Sequence, residues 1–153
     1  MKNLKGIAQL LLRLALGFGF ILPVLDRMGY FGNPGDSNVA WGDWSNFIAY
    51  TNQLMPYIDL STAFYFGLTA TVLELLFGIS LISGYKVKYI ALGSFVLTLI
   101  FALSMMFFIH FRAPFNFSVF VVSFSSLLLS TLPNYPWSID DYLNKHRVAI
   151  NKS

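Results

Sequence analysis

The sequence predicts an all-α fold: a bundle of four transmembrane helices with a short amphipathic outer helix between the first two. Three observations predict it. Of 153 residues, 56% are hydrophobic and only 11% charged, whereas an ordinary soluble domain is about 25% charged. Four apolar runs, residues 6–25, 62–82, 89–109 and 115–132, approach the roughly 20 residues that carry a helix through about 30 Å of hydrocarbon. Of the ten basic and seven acidic side chains, only Arg13 and Glu74 fall inside those runs. A soluble core helix keeps a polar face at a 3.6-residue period; these runs are apolar all round. The chain reads as a single integral membrane domain over residues 1–153.

The first run follows Lys2 and Lys5, which resemble the basic start of a signal peptide. Arg13 interrupts its apolar stretch, and no small-x-small cleavage pattern follows over residues 18–27, so it reads as a retained first span. The 26–61 connection opens with a turn-rich stretch containing Gly29, Gly32, Asn33, Pro34, Gly35 and Asp36. From Trp44 onward, Phe47, Ile48, Thr51, Leu54 and Met55 recur at helical spacing. Asp43 caps that helix and Pro56 ends it. With Trp41, Trp44 and Tyr50 it suits a membrane interface or the top of the bundle. The fourth run is the shortest, and the tail beyond Pro133, with Trp137, Tyr142 and Leu143, suits a second interfacial anchor.

Basic residues set the expected orientation. With four spans, Lys2, Lys5, Lys86, Lys88, Lys145, Arg147 and Lys152 share one side, against Arg27 and Arg112 on the other. Both termini are therefore expected in the cytoplasm, in a bacterial-type inner membrane.

Arg13 and Glu74 form the expected intramembrane polar pair. A charge near mid-bilayer costs about 2.5–3.5 kcal/mol and is rarely left alone. Counting from Lys5 and from Ile82, each lies about 12 Å deep at 1.5 Å per residue, so neighbouring helices would bring them to one level. Such a pair either fixes helix packing or forms a polar site for a headgroup or a proton. Gly17 and Gly78, one turn away, either allow close helix approach or face a ligand held at the pair. Ser94 and Thr98, with Ser123, Ser125 and Ser126, either face the pair or bond to their own helices.

Other chemistries are excluded or unsupported. The chain has no cysteine, hence no disulfide, thiolate or Cys-based metal site. His110 and His146 fall on opposite sides and lack zinc-like spacing, so no metal is expected. His110, Arg112 and Asn116, with Asp26 and Arg27 at the same level, read as a solvated outer rim. No basic stripe points to nucleic acid.

Arg13-Leu14-Ala15-Leu16-Gly17 is similar to an R-x-x-x-G element, and Phe47-Ile48-Ala49-Tyr50 to an aromatic helix preceding a second span. The stretch from Glu74 to Gly84 follows E-x-x-x-G-x-x-L-x-x-G, with a basic turn at Lys86 and Lys88. In this order the elements resemble the DoxX family, within the wider MauE/DoxX group, over almost the whole chain. The chain departs from that pattern at Asp26-Arg27, where many relatives carry Gly-x-x-Lys, and in its long outer loop. The resemblance implies a redox-associated membrane protein with no covalent cofactor. Its leading form is a non-catalytic accessory subunit of a redox or envelope complex, engaging a quinone or lipid headgroup. A small-molecule or proton carrier and a quinone-linked oxidoreductase are the alternatives. Membrane lipids and a membrane or periplasmic protein are the expected partners, and oligomer formation stays open. Thiol chemistry known in some relatives needs cysteines and does not transfer.

Overall fold

A computed structural model describes the backbone of residues 2–150 and the side chains of residues 3–146. Lys152 and the side chains of Lys2 and Arg147 lie outside the described residues. The fold is all-α, 74% helical, with no strand among the described residues. The elements are α1 (Lys2–Arg27), α2 (Trp44–Leu54), α3 (Leu60–Ser83), α4 (Val87–Ser104), a π-helical turn (Met105–Ile109), α5 (Ala113–Asn116), α6 (Val119–Ser130) and α7 (Ile139–Ile150).

Three stretches are long and apolar enough to cross a membrane: Asn3–Arg27, Leu60–Ser83 and Val87–Ile109. The fourth apolar run differs from expectation. It is not one helix over 115–132 but α5 followed by α6, interrupted at Ser118, whose φ is 55°. The twelve residues of α6 rise only about 18 Å, short of a span by themselves. The physical reason is local: Pro114 sits in the first turn of α5, and the chain must fold back there from the π turn.

Helices α1, α3, α4 and α6 pack in that order around a closed ring, α6 returning to α1. Leu16, Phe20, Leu81, Val87, Ala91 and Leu129 form the buried core where they meet. Gly17 and Gly78 mark the α1–α3 crossing. A Cβ on either would lie 3.0 Å from the other's carbonyl oxygen and 2.6 Å from Ile82 or Ile21 respectively. Outward faces carry Phe18, Leu22, Leu76, Ile79, Ile100 and Val121, all about half exposed or more. So much contiguous apolar surface suits lipid, not water.

One end of the ring is closed by α2, which lies on α3 and also touches α1 and the π turn. Its boundaries match the sequence reading: the Asp43 carboxylate accepts from Asn46 N at 2.7 Å, and the helix stops just before Pro56. Gly67 makes room for it, since a Cβ there would meet Ile48 at 2.6 Å. Asp59 caps α3, and hydrogen bonds from Thr62 hold its carboxyl below the usual carboxylate range. The opposite end is tied by the C-terminal segment. Gln9 donates to the Pro136 carbonyl at 2.9 Å, Arg13 to the Trp137 carbonyl at 2.8 Å, and Asp140 accepts from Lys86 N and Val87 N at 2.8 and 2.9 Å. Asp140 thus supplies from α7 the cap that Lys86, with no capping side chain of its own, cannot give α4.

Candidate binding site

The buried charge pair exists, but its cation is Arg27. Arg27 Nη2 lies 2.7 Å from Glu74 Oε2, with both side chains buried. Arg13 sits instead at the opposite end, where among the described residues only the Trp137 carbonyl accepts from it and its Nε and Nη1 have no partner. Equal Cα depth does not decide which side chains meet. Helical side chains lean toward their own N-terminus. On α1 this tilts Arg13 away from the membrane centre and brings Arg27 back toward it. On the antiparallel α3 it tilts Glu74 toward Arg27.

The local chain explains how Arg27 is held. Its Nε donates to the Pro23 carbonyl at 3.1 Å, and its Nη1 to Thr71 Oγ1 at 2.7 Å. The Thr71 hydroxyl in turn donates to the Gly67 carbonyl at 2.8 Å. The guanidinium lies 3.8 Å from the centroid of the Phe47 ring and 5.2 Å from that of Trp41, an arrangement that stabilises a desolvated cation. Two of five N–H donors remain beyond these three bonds. Glu74 Oε1 receives no hydrogen bond among the described residues.

Asp26 completes the frame from the next position. Its carboxylate accepts from Ala40 N at 3.2 Å and Trp41 N at 2.8 Å, pinning the 28–43 loop above Arg27. Gly42 permits the fold of that loop: φ is +71°, and a Cβ would lie 2.5 Å from Pro34 N. Asp26 and Arg27 are therefore buried at 5% and 2% exposure, not part of a solvated rim. His110, Arg112 and Asn116 are exposed, as a rim requires.

Arg27 and Glu74 line a cavity of about 1020 Å³. Its walls are otherwise largely apolar or aromatic, among them Phe20, Trp41, Phe47, Ala70, Phe101 and Met105. Tyr50 also faces it, and burial pushes that phenol up from its ordinary range. Thr98 lines the cavity but donates within α4 to the Ser94 carbonyl at 2.8 Å. Ser94 is fully buried, its hydroxyl has no partner among the described residues, and it does not line the cavity, nor do Gly17 and Gly78, which serve the helix crossing. Ser123 donates across to the Phe95 carbonyl of α4, and Ser126 to Val122 of its own helix.

Sequence reasoning thus found Glu74 and Thr98 but missed Arg27, Thr71, Trp41 and the positioning role of Asp26. The available signal was an Asp-Arg pair closing the first span, opposite the only acid within the four runs. Among the described residues, no group of three or more His, Asp or Glu side chains is placed to hold a metal. No family model matches the chain, and neither the curated proteins nor the solved structures contain a match to it.

Proposed function

We propose that the protein binds a membrane-soluble amphiphile, a quinone or a lipid headgroup, and serves as a DoxX-like, non-catalytic subunit of a membrane redox or envelope complex. The cavity carries this reading: about 1020 Å³ of mainly apolar space with one buried ion pair in its wall. Binding sites for small molecules have this composition, apolar walls with a few fixed polar groups that orient the ligand. The residues suit a quinone in one respect. Arg27 has N–H donors to spare for a ring carbonyl, while the apolar wall accepts a tail. In this reading the chain sits in a bacterial-type inner membrane with both termini in the cytoplasm, an orientation supported by the basic residues.

Purification in mild detergent, followed by identification of co-purifying lipids, quinones and proteins, tests it. The native chain should retain an amphiphile that an Ala70→Trp variant, with its cavity filled, loses. A native chain purified with no stoichiometric amphiphile would refute binding at this site. Glu74 Oε1 favours a second reading as a proton or small-molecule carrier, since a carboxylate oxygen without a partner can take up a proton. Flux across proteoliposomes that disappears in Glu74→Gln would favour that reading over simple binding.

A further inference from the structure

A groove on the lipid-facing side of the bundle adjoins the cavity. A depression of about 400 Å³ runs between α3 and α4, lined by Leu73, Phe77, Tyr89, Gly93, Val96 and Ile100, among others. Leu73, Leu97 and Ile100 line both the groove and the cavity. Phe77 forms its floor by packing on Gly93, where a Cβ would lie 2.9 Å from the ring. Ile100 and Val96 are about half exposed on the outer surface. The groove and the chamber holding Arg27 and Glu74 therefore share a wall made of the Leu73, Leu97 and Ile100 side chains.

The polar end restricts what fits. Arg27 and Glu74 already neutralise one another, so a charged headgroup would leave a net charge in an apolar chamber at high cost. Glu74 Oε1, without a hydrogen bond among the described residues, is free to accept from a donor in the cavity. We infer that the site takes a neutral lipid with a hydroxyl head, admitted sideways from the bilayer between α3 and α4. Its hydroxyl donates to Glu74 Oε1 and its chain lies along the groove toward Tyr89. This inference rests on the binding reading above and adds the headgroup class and the route.

The test uses the full chain in dioleoylphosphatidylcholine vesicles, with Trp44→Phe and Trp137→Phe leaving Trp41 as reporter on the cavity wall. A chain-brominated monoacylglycerol is the hydroxyl probe, and the matching brominated fatty-acid methyl ester lacks the donor. Trp41 should be quenched saturably by the monoacylglycerol at mole fractions where the ester does nothing. Glu74→Gln should weaken that quenching about fivefold, because a neutral acceptor replaces a charged one.

Because the chain has no cysteine, Leu73→Cys can be alkylated alone with a bulky maleimide. Alkylation should slow the onset of quenching, while the same label at Val121→Cys, exposed on α6 away from the groove, should not. Folding of each variant is checked by circular dichroism, and the unlabelled Leu73→Cys protein is the control for the label. Equal quenching by alcohol and ester overturns the headgroup assignment. Unchanged kinetics after Leu73 alkylation overturns the lateral route. No saturable quenching by either probe overturns the binding reading itself, and this inference with it.

Discussion

Replacing Glu74 by glutamine would leave Arg27 buried without its anion, and the structure sets the size of the effect. Removing one member of a buried pair costs about 3–5 kcal/mol in soluble proteins. Two features reduce that here. The Pro23 carbonyl and Thr71 hydroxyl still accept from Arg27, and the Phe47 and Trp41 faces remain beside it. The membrane-inserted unfolded chain also finds other polar partners. The expected loss for Glu74→Gln is about 2–3 kcal/mol. Arg27→Met with Glu74→Leu should recover most of it, because apolar residues of similar volume can replace a buried pair. The double-mutant cycle should give a coupling of about 2 kcal/mol, whereas Arg13→Met with Glu74→Leu should be additive within about 0.5 kcal/mol. Unfolding in dodecylmaltoside micelles titrated with dodecyl sulfate, followed by circular dichroism, measures all of these. Additivity between positions 27 and 74, or strong coupling between 13 and 74, would refute the side-chain-direction argument.

Four further outcomes follow from individual contacts. Asp26→Ala frees the Ala40 and Trp41 amides; it should cost about 1–3 kcal/mol and accelerate limited proteolysis within residues 28–43. Gly17→Val drives a branched side chain into Ile82 and the Gly78 carbonyl and should cost about 1–3 kcal/mol. Gly19→Ala, with nothing within 4 Å of its Cβ, should be neutral or slightly stabilising in the same titration. Asp140→Ala removes the cap on α4 and should cost about 1 kcal/mol, with faster amide exchange at Lys86 and Val87.

Features governed by local pattern were legible in the sequence. Hydropathy located the long helices, and α2 was readable between Asp43 and Pro56 because caps and breakers act within a few residues. Features that depend on three-dimensional approach were not. Glu74 stood out as the acid of the apolar runs, but its partner depended on which way two side chains lean. Asp26 binds amides more than a dozen residues later, across a loop whose path depends on Gly42. Asp140 caps a helix more than fifty residues before it. The break at Ser118 was hidden because residues 115–132 read as one apolar run, and composition does not register a residue at positive φ.

That break makes the fourth crossing the sharpest test of the topology. α6 rises about 18 Å, leaving about 12 Å of hydrocarbon for α5 and the non-helical residues that flank α6. Backbone groups there need internal partners in lipid. Some have them: Phe117 N bonds to the Ala113 carbonyl at 3.1 Å, Ser118 N to Phe115 at 3.0 Å, and Thr131 N to Leu128 at 3.1 Å. The ring also argues for a crossing. α5 contacts the π turn, at the end covered by α2, whereas the Pro136 and Trp137 carbonyls bind Gln9 and Arg13 at the other. Lys86 and Lys145 belong to that second end. With Arg27 held in its ion pair, Arg112 is the exposed basic residue at the first, so the charge asymmetry favours the second end facing the cytoplasm. Single cysteines in this cysteine-free chain, probed with an impermeant maleimide in intact cells, separate the possibilities. Asn38→Cys and Arg112→Cys should label from outside, while Lys86→Cys and Asn134→Cys should label only after permeabilisation. If Asn134 labels with Arg112, residues 113–133 enter and leave by the same face, and the bundle has three crossings plus a re-entrant segment.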